Sequence, residues 1–149
     1  LLAAINSIQI KENSTQYTNI ADAVQKSFDV LLAGKNDESQ KIIVLLTDGV
    51  ATRPANPKGS KPEAEEVAFA EAAALSVASL ARQAGTTIYT IGLGKDIHED
   101  FLKKIAGESE NYFEAPSTTT LKSVYQKISG AICKELPAKI EITYKIFGS

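Results

Sequence analysis

The sequence has few of the residues that mark specialised classes of protein. Its 149 residues contain no methionine, no tryptophan and one cysteine, Cys133, which excludes an internal disulfide. Aromatic residues make up only 7% of the chain. No apolar run approaches the roughly 20 residues that a membrane-spanning helix needs. The opening LLAAINSIQI has no basic residue, so we do not expect it to be a signal peptide.

An excess of charge of one sign is also lacking. Lysine and arginine number 16 against 18 acidic residues, which gives a net charge of −2 and a pI of about 5.5. Such a balance leaves no basic footprint for nucleic acid or for an anionic membrane surface. Hydrophobic residues make up 44%, as in ordinary globular proteins. We therefore expect one globular domain, with no nucleic-acid partner and no membrane insertion by this chain.

Helical and strand patterns alternate along the chain. Helical spacing of apolar residues runs through five stretches: 1–9, 19–34, 62–84, 98–107 and 117–136. Strand patterns occupy 41–46, 86–94 and 110–116, and a half-exposed strand is predicted over 139–146. Strands that alternate with helices predict an α/β fold with a mostly parallel sheet and helices on both faces. Such sheets bind ligands outside the carboxyl ends of their strands.

Asp48 stands at one of these predicted strand ends. It follows the apolar run Ile42–Leu46 and precedes Gly49. An Asp-Gly pair is often only a turn, so this pair alone does not distinguish a ligand site from a turn. A second polar group, the hydroxyl of Thr18, stands at the start of a predicted helix in "YTNIADAV".

Four stretches, taken in order, carry a resemblance to a known family: "YTNIADAV", "KIIVLLTDG", "TIYTIGLG" and "FLKKIAGESENYFEAPSTTTLKSVYQKI". Together they resemble the von Willebrand factor type A family, which has the integrin I-like fold. The resemblance implies a three-layer, Rossmann-like, doubly wound sheet, of which this chain holds an incomplete part. It implies that residues 1–134 are the C-terminal part of such a domain. Residues 135–149 would be an exit strand or a linker to a following module.

Members of this family bind a divalent cation at a metal-ion-dependent adhesion site built from three loops. The resemblance assigns Thr18 to the second loop and Asp48 to the third. It implies Mg²⁺, with Mn²⁺ or Ca²⁺ as alternatives, since these hard ions prefer oxygen ligands. The carboxylate of a protein ligand would fill the open coordination position. Tyr17, Asn19 and Arg53 are predicted to form a rim that contacts this partner.

One part of the family's site is missing from the sequence. The first loop of the family carries D-x-S-x-S, and this pattern occurs nowhere in the chain. In the family, the strand at 41–46 lies in mid-sheet beside the strand that carries that loop. Here it would be an edge, and a flat apolar edge is a pairing site. We expect the N-terminal half of the domain to come from a second chain or from another segment of the same protein. A half-domain that dimerises through this edge is the alternative.

The resemblance implies a metal-dependent protein-binding module of the adhesion type, not an enzyme, on a microbial surface or in a secreted protein. We therefore expect an extracellular or cell-surface location. Three alternatives remain open. The first is an intracellular type A module in complex assembly, as in chelatases or AAA-associated proteins. The second is a doubly wound enzyme that uses Asp48 as an acid, a base or a phosphate-site ligand. The third is a half-domain that acts only as a structural complementation partner.

Three other features carry weaker signals. His98 is the only histidine, and we predict a solvated helix start without a metal-binding or catalytic partner. Cys133 is predicted to be a small residue of the core or its boundary, beside Ile132. Gly92 and Gly94 are not followed by the third glycine that a dinucleotide-binding loop requires.

Overall fold

A computed structural model of the chain describes residues 17–34, 39–55, 63–95 and 97–135. The predicted helix over 1–9 and the exit segment after residue 135 lie outside the described residues. No helix in the described ranges is long and apolar enough to cross a membrane. The elements in chain order are α1 (Ile20–Ala33), β1 (Lys41–Thr47), α2 (Glu63–Gln83), β2 (Thr86–Leu93), α3 (Glu99–Ala106), a 3-10 turn (Ser109–Asn111), β3 (Tyr112–Ala115) and α4 (Thr118–Glu135).

The three strands form one parallel sheet in the order β1-β2-β3. Along β1 the pairing runs from Lys41 opposite Thr86 to Thr47 opposite Gly92. The third strand pairs in parallel with the second half of β2. Because all three strands run the same way, their carboxyl ends meet at one end of the sheet. This arrangement confirms the predicted α/β class with a parallel sheet.

Helices cover the sheet on both faces, and each face has its own core. On one face, α1, α2 and α3 contact a cluster that includes Ile43 and Ile88. The fully buried positions of α2 are all alanine, and such small residues allow close packing within this core: Ala70, Ala74, Ala78 and Ala81. On the other face, Val124 and Ile128 of α4 are buried against Tyr89 and Ile91. The three layers expected of this fold are therefore present.

A few positions that the helical pattern predicts to face inward are exposed. The exposed fraction is 54% for Leu32, 56% for Leu80 and 45% for Tyr125. Cys133 is also exposed, so its predicted core or boundary position was wrong. These residues lie at the margins of broad apolar stripes, and only the centre of each stripe reaches the sheet.

Candidate functional site

Asp48 follows β1 at the carboxyl end of the sheet, as predicted. The preceding Thr47 is buried, and its hydroxyl donates to the carbonyl of Gly49 at 3.1 Å. The N–H of Gly49 lies 3.4 Å from the same hydroxyl. These contacts close a tight turn around Asp48, whose side chain is exposed. Within the described ranges, its carboxylate has no hydrogen bond and no ion pair.

Thr18 is held against the loop that follows Asp48. Its N–H donates to the hydroxyl of Thr52 at 2.8 Å. Its carbonyl accepts from the N–H of Thr52 at 2.9 Å and from that of Arg53 at 3.2 Å. The Thr18 hydroxyl itself has no partner among the described residues. It lies 4.0 Å from the point that a β-carbon on Gly49 would occupy. The structure thus brings the two predicted ligands onto adjacent loops.

Asn19 fixes the helix that begins directly after Thr18. Its side-chain oxygen accepts from the N–H of Asp22 at 3.0 Å, so Asn19 is the N-cap of α1. Asp22 lies in the first turn, where a negative charge is favoured by the helix dipole. The oxygen of Asn19 is therefore engaged in capping, although the side chain is exposed beside Thr18.

Tyr17 and Arg53, the other two predicted rim residues, contact each other. The guanidinium carbon of Arg53 lies 3.5 Å from the centroid of the Tyr17 ring. Nη1 of Arg53 donates to the carbonyl of Thr52 at 2.9 Å. Sequence patterns gave no indication of the part played by Thr52, which binds Thr18 across 34 positions of the chain.

The two free side chains fit a divalent cation but do not complete its coordination. A hydroxyl and a carboxylate are hard donors of the kind that Mg²⁺, Mn²⁺ and Ca²⁺ prefer. Such ions take six or more oxygen ligands, and a single hydroxyl and a single carboxylate replace only a few of the waters that a free ion holds. The described part of the chain holds no group of three or more His, Cys, Asp or Glu that could bind a metal. Thr18 and Asp48 alone would therefore not complete the coordination of such an ion.

His98 has a partner that the sequence prediction did not anticipate. Its Nδ1 lies 2.6 Å from Oε1 of Glu71, which is 27 positions earlier in α2. The imidazole is about half exposed and forms no side-chain cap on α3. His98 is exposed at the N-cap of α3, as the prediction of a solvated helix start requires, but its contact with Glu71 was not predicted. The contact links the start of α3 to α2. Residue spacing does not predict this contact, because it depends on the path of β2 between the two helices.

A model of the von Willebrand factor type A domain family matches residues 1–127. Among curated proteins, none matches the chain in sequence. The fold resembles proximal thread matrix protein 1 from the mussel byssus, solved with a zinc-occupied MIDAS motif. In that comparison the TM-score is 0.64 and the identity 21%, over 88% of this chain and 29% of that one.

The fold also resembles the pilus adhesin SpaC from Lactobacillus rhamnosus GG. The TM-score is 0.67 and the identity 17%, over 89% of this chain and 21% of that one. At such identities the likeness shows the fold alone, and the chain spans less than a third of either neighbour's length. The family match, in contrast, covers most of the chain in one stretch. The chain belongs to the von Willebrand factor type A domain family.

Proposed function

We propose that this chain is the C-terminal part of a metal-dependent protein-binding module, of the adhesion type. One observation carries the proposal. The hydroxyl of Thr18 and the carboxylate of Asp48 lie on adjacent loops at the carboxyl end of the sheet, and neither has a partner within the described residues. Free oxygens on loops that hydrogen bonds hold in place are suited to binding a cation.

Each residue has a separate role in this proposal. Asp48 supplies negative charge, and Thr18 supplies a neutral oxygen that the hydrogen bonds with Thr52 keep in place. The cation is Mg²⁺, with Mn²⁺ and Ca²⁺ as alternatives. A bound cation would provide a Lewis-acidic position for a carboxylate of the protein ligand. Tyr17 and Arg53 lie beside Thr18, and in this proposal they contact that ligand.

The proposed cation needs further ligands from another segment of polypeptide, and β1 has an exposed surface on which such a segment could dock. Two cavities, of about 290 and 410 Å³, lie between β1 and α1. Every residue from Ile42 to Thr47 lines one or the other, and we call the two cavities together the β1 groove. Val44 and Leu46, which line these cavities, are 39% and 40% exposed. We propose that the N-terminal half of the same domain docks here and supplies the missing ligands.

Two comparisons support an extracellular adhesion role over the alternatives. The structural neighbours named above are a byssus matrix protein and a pilus adhesin. An enzyme that used Asp48 would need a second catalytic group on a neighbouring strand end. In the described ranges, β2 ends with Gly92 and Leu93, which supply no acid, base or nucleophile. We therefore propose a binding module outside the cell or on its surface.

Calorimetric titration with Mn²⁺ tests the metal site. The chain alone should bind the ion negligibly, and the chain with its N-terminal half should bind it in the micromolar to millimolar range. In the completed domain, Asp48→Ala should weaken binding at least tenfold and Thr18→Ala less, because a neutral oxygen contributes less than a charge. Asp29→Ala removes an exposed carboxylate on α1 and should change nothing.

Two results would contradict this assignment. Micromolar binding by the chain alone would show that the site needs no second piece. Unchanged binding after Asp48→Ala would remove that residue from the site. Sedimentation velocity tests the docking separately. A cooperatively folding monomer of 15.9 kDa that does not bind the N-terminal half would contradict docking in the β1 groove. A dimer that does not grow further would favour the alternative of a half-domain that dimerises through β1.

A further inference from the structure

Arg53 carries a positive charge that the described part of the chain does not neutralise. Among the described residues, the salt bridges are Lys26 with Asp22, His98 with Glu71 and Lys103 with Glu99. Arg53 takes part in none of them. Its one described side-chain hydrogen bond goes to a neutral carbonyl, that of Thr52. A guanidinium has several N–H donors, so most of them remain available.

Contacts hold both the backbone and the guanidinium of Arg53. The backbone N–H of Arg53 donates to the carbonyl of Thr18, and the guanidinium lies over the ring of Tyr17. An arginine that is free in solvent samples many rotamers and loses side-chain entropy when a ligand immobilises it. Here the contacts with Tyr17 and Thr52 have already restricted the side chain, so binding an anion costs less entropy.

The charge also lies beside the proposed cation site, because Tyr17 precedes Thr18 directly. A cation and a guanidinium side by side present two positive positions to an incoming ligand. A ligand with a single carboxylate satisfies only one of them. Charge complementarity therefore favours a ligand segment with two acidic groups.

We propose that Arg53, oriented by Tyr17, is a specificity-determining residue that binds a second carboxylate of the protein ligand. This inference rests on the proposed function, in which the first carboxylate completes the coordination of the cation. The ligand class is accordingly a segment with a pair of aspartate or glutamate residues close together. Planar, two-pronged recognition of a carboxylate is a property of arginine that lysine does not share.

The test uses fluorescence anisotropy with the completed domain in Mn²⁺. The probes are labelled glycine-rich peptides with two aspartates separated by one, two or three glycines. Matched peptides have asparagine in place of one aspartate. We expect the wild type to prefer the best diacid peptide over its matched partners about tenfold, as charge-assisted hydrogen bonds typically provide. Addition of a chelator should abolish binding of both kinds of peptide.

Four variants separate recognition from packing. Arg53→Gln should bring the preference close to one while Mn²⁺ affinity stays equal or rises, since a positive charge near the cation is removed. Arg53→Lys should keep a small part of the preference. Tyr17→Phe should keep nearly all of the preference, and Tyr17→Ala should lower the preference several-fold. As a control, Lys104→Gln, which removes an exposed charge on α3, should match the wild type.

The outcomes distinguish this inference from the proposed function. If the wild type binds peptides in a metal-dependent way and Arg53→Gln keeps the same preference, the inference is wrong and the proposed function stands. The inference is equally wrong if Arg53→Gln lowers only the melting temperature, because Arg53 would then serve packing alone. If the wild type binds Mn²⁺ but no acidic peptide, the inference is wrong and the metal site stands; if it does not bind Mn²⁺ either, the proposed function is wrong as well.

Discussion

β1 and β2 lie side by side in one sheet, and the more exposed of the two is an almost unbroken apolar run. In β1, five apolar residues, Ile42–Leu46, follow one another, yet Val44 and Leu46 are about 40% exposed. In β2, threonines and a glycine interrupt the apolar residues, yet all positions from Ile88 to Gly92 are buried. Hydrophobicity along a strand thus does not decide its burial here.

The difference arises from the neighbours of each strand. In the described sheet β2 pairs on both sides, whereas β1 pairs only with β2. Leu46 lies opposite Ile91 in the register, and Val44 lies opposite Tyr89. Helix α4 covers Ile91 and Tyr89 but leaves their two partners on β1 exposed. The apolar run of β1 therefore matches a position inside a larger sheet.

Alanine substitutions at the two residues of one register pair should differ widely in their cost to stability. Ile91→Ala removes a fully buried side chain and should cost about 2–5 kcal/mol of unfolding free energy. Leu46→Ala, one strand away, should cost about 1 kcal/mol, because much of that side chain is already in water. Urea unfolding measures both.

The same two variants also test whether β1 becomes covered in the completed domain. When the N-terminal half of the domain is added, the cost of Leu46→Ala should rise toward that of Ile91→Ala, because the edge becomes covered. Equal costs in the chain alone would show that β1 is already buried in solution. An unchanged cost after complementation would argue against docking on β1.

A second test compares glycines near the ends of the two strands. A β-carbon on Gly92 would overlap Cδ1 of Ile97 and would lie 3.2 Å from Cδ1 of Leu102. Gly92→Ala should therefore destabilise the domain by about 1–3 kcal/mol through overpacking. At Gly49 the nearest such atom is 4.0 Å away, so Gly49→Ala should stay within about 0.5 kcal/mol. Thermal unfolding of both variants checks this, and similar melting temperatures for the two would contradict it.

Periodicity along the chain was enough to predict much of this fold. The ends of α2 and β2 fall within two residues of their predicted limits, because alanine stripes and β-branched runs are local signals. The position of Asp48 also followed from its place after a strand. The contacts of Thr18 with Thr52 and of His98 with Glu71 did not, since they join residues 34 and 27 positions apart. Such contacts depend on how loops meet across the sheet.

A third test concerns the open side of β1. Lysine on an edge strand discourages pairing with other chains. Val44→Lys should therefore reduce self-association of the isolated chain several-fold while changing its stability by about 0.5 kcal/mol or less. Leu80→Lys, at an exposed site on α2, is the control and should leave association unchanged. Sedimentation velocity over a range of concentrations measures this, and equal association of both variants would exclude β1 as the contact.

The smallest effect is expected at Tyr112, on the strand beside β2. Its hydroxyl is buried and has no hydrogen-bond partner in the described structure. Burial, together with the charges of Glu99 and Glu114, raises the pKa of Tyr112 above its usual value of 10.0. Above pH 10 the unfolded chain therefore loses this proton more readily than the folded one, and stability should fall as the pH rises through the folded-state pKa.

Tyr112→Phe removes this unpaired hydroxyl and should leave stability at pH 7 unchanged or raise it by about 1 kcal/mol at most. It should also remove part of the loss of stability above pH 10, because the titrating group is gone. Tyr125→Phe removes an exposed hydroxyl and should not change stability at pH 7. Urea unfolding between pH 7 and 11 follows both variants. A loss of more than about 1 kcal/mol at pH 7 for Tyr112→Phe would mean that the hydroxyl has a partner, because only a satisfied donor would cost that much to remove.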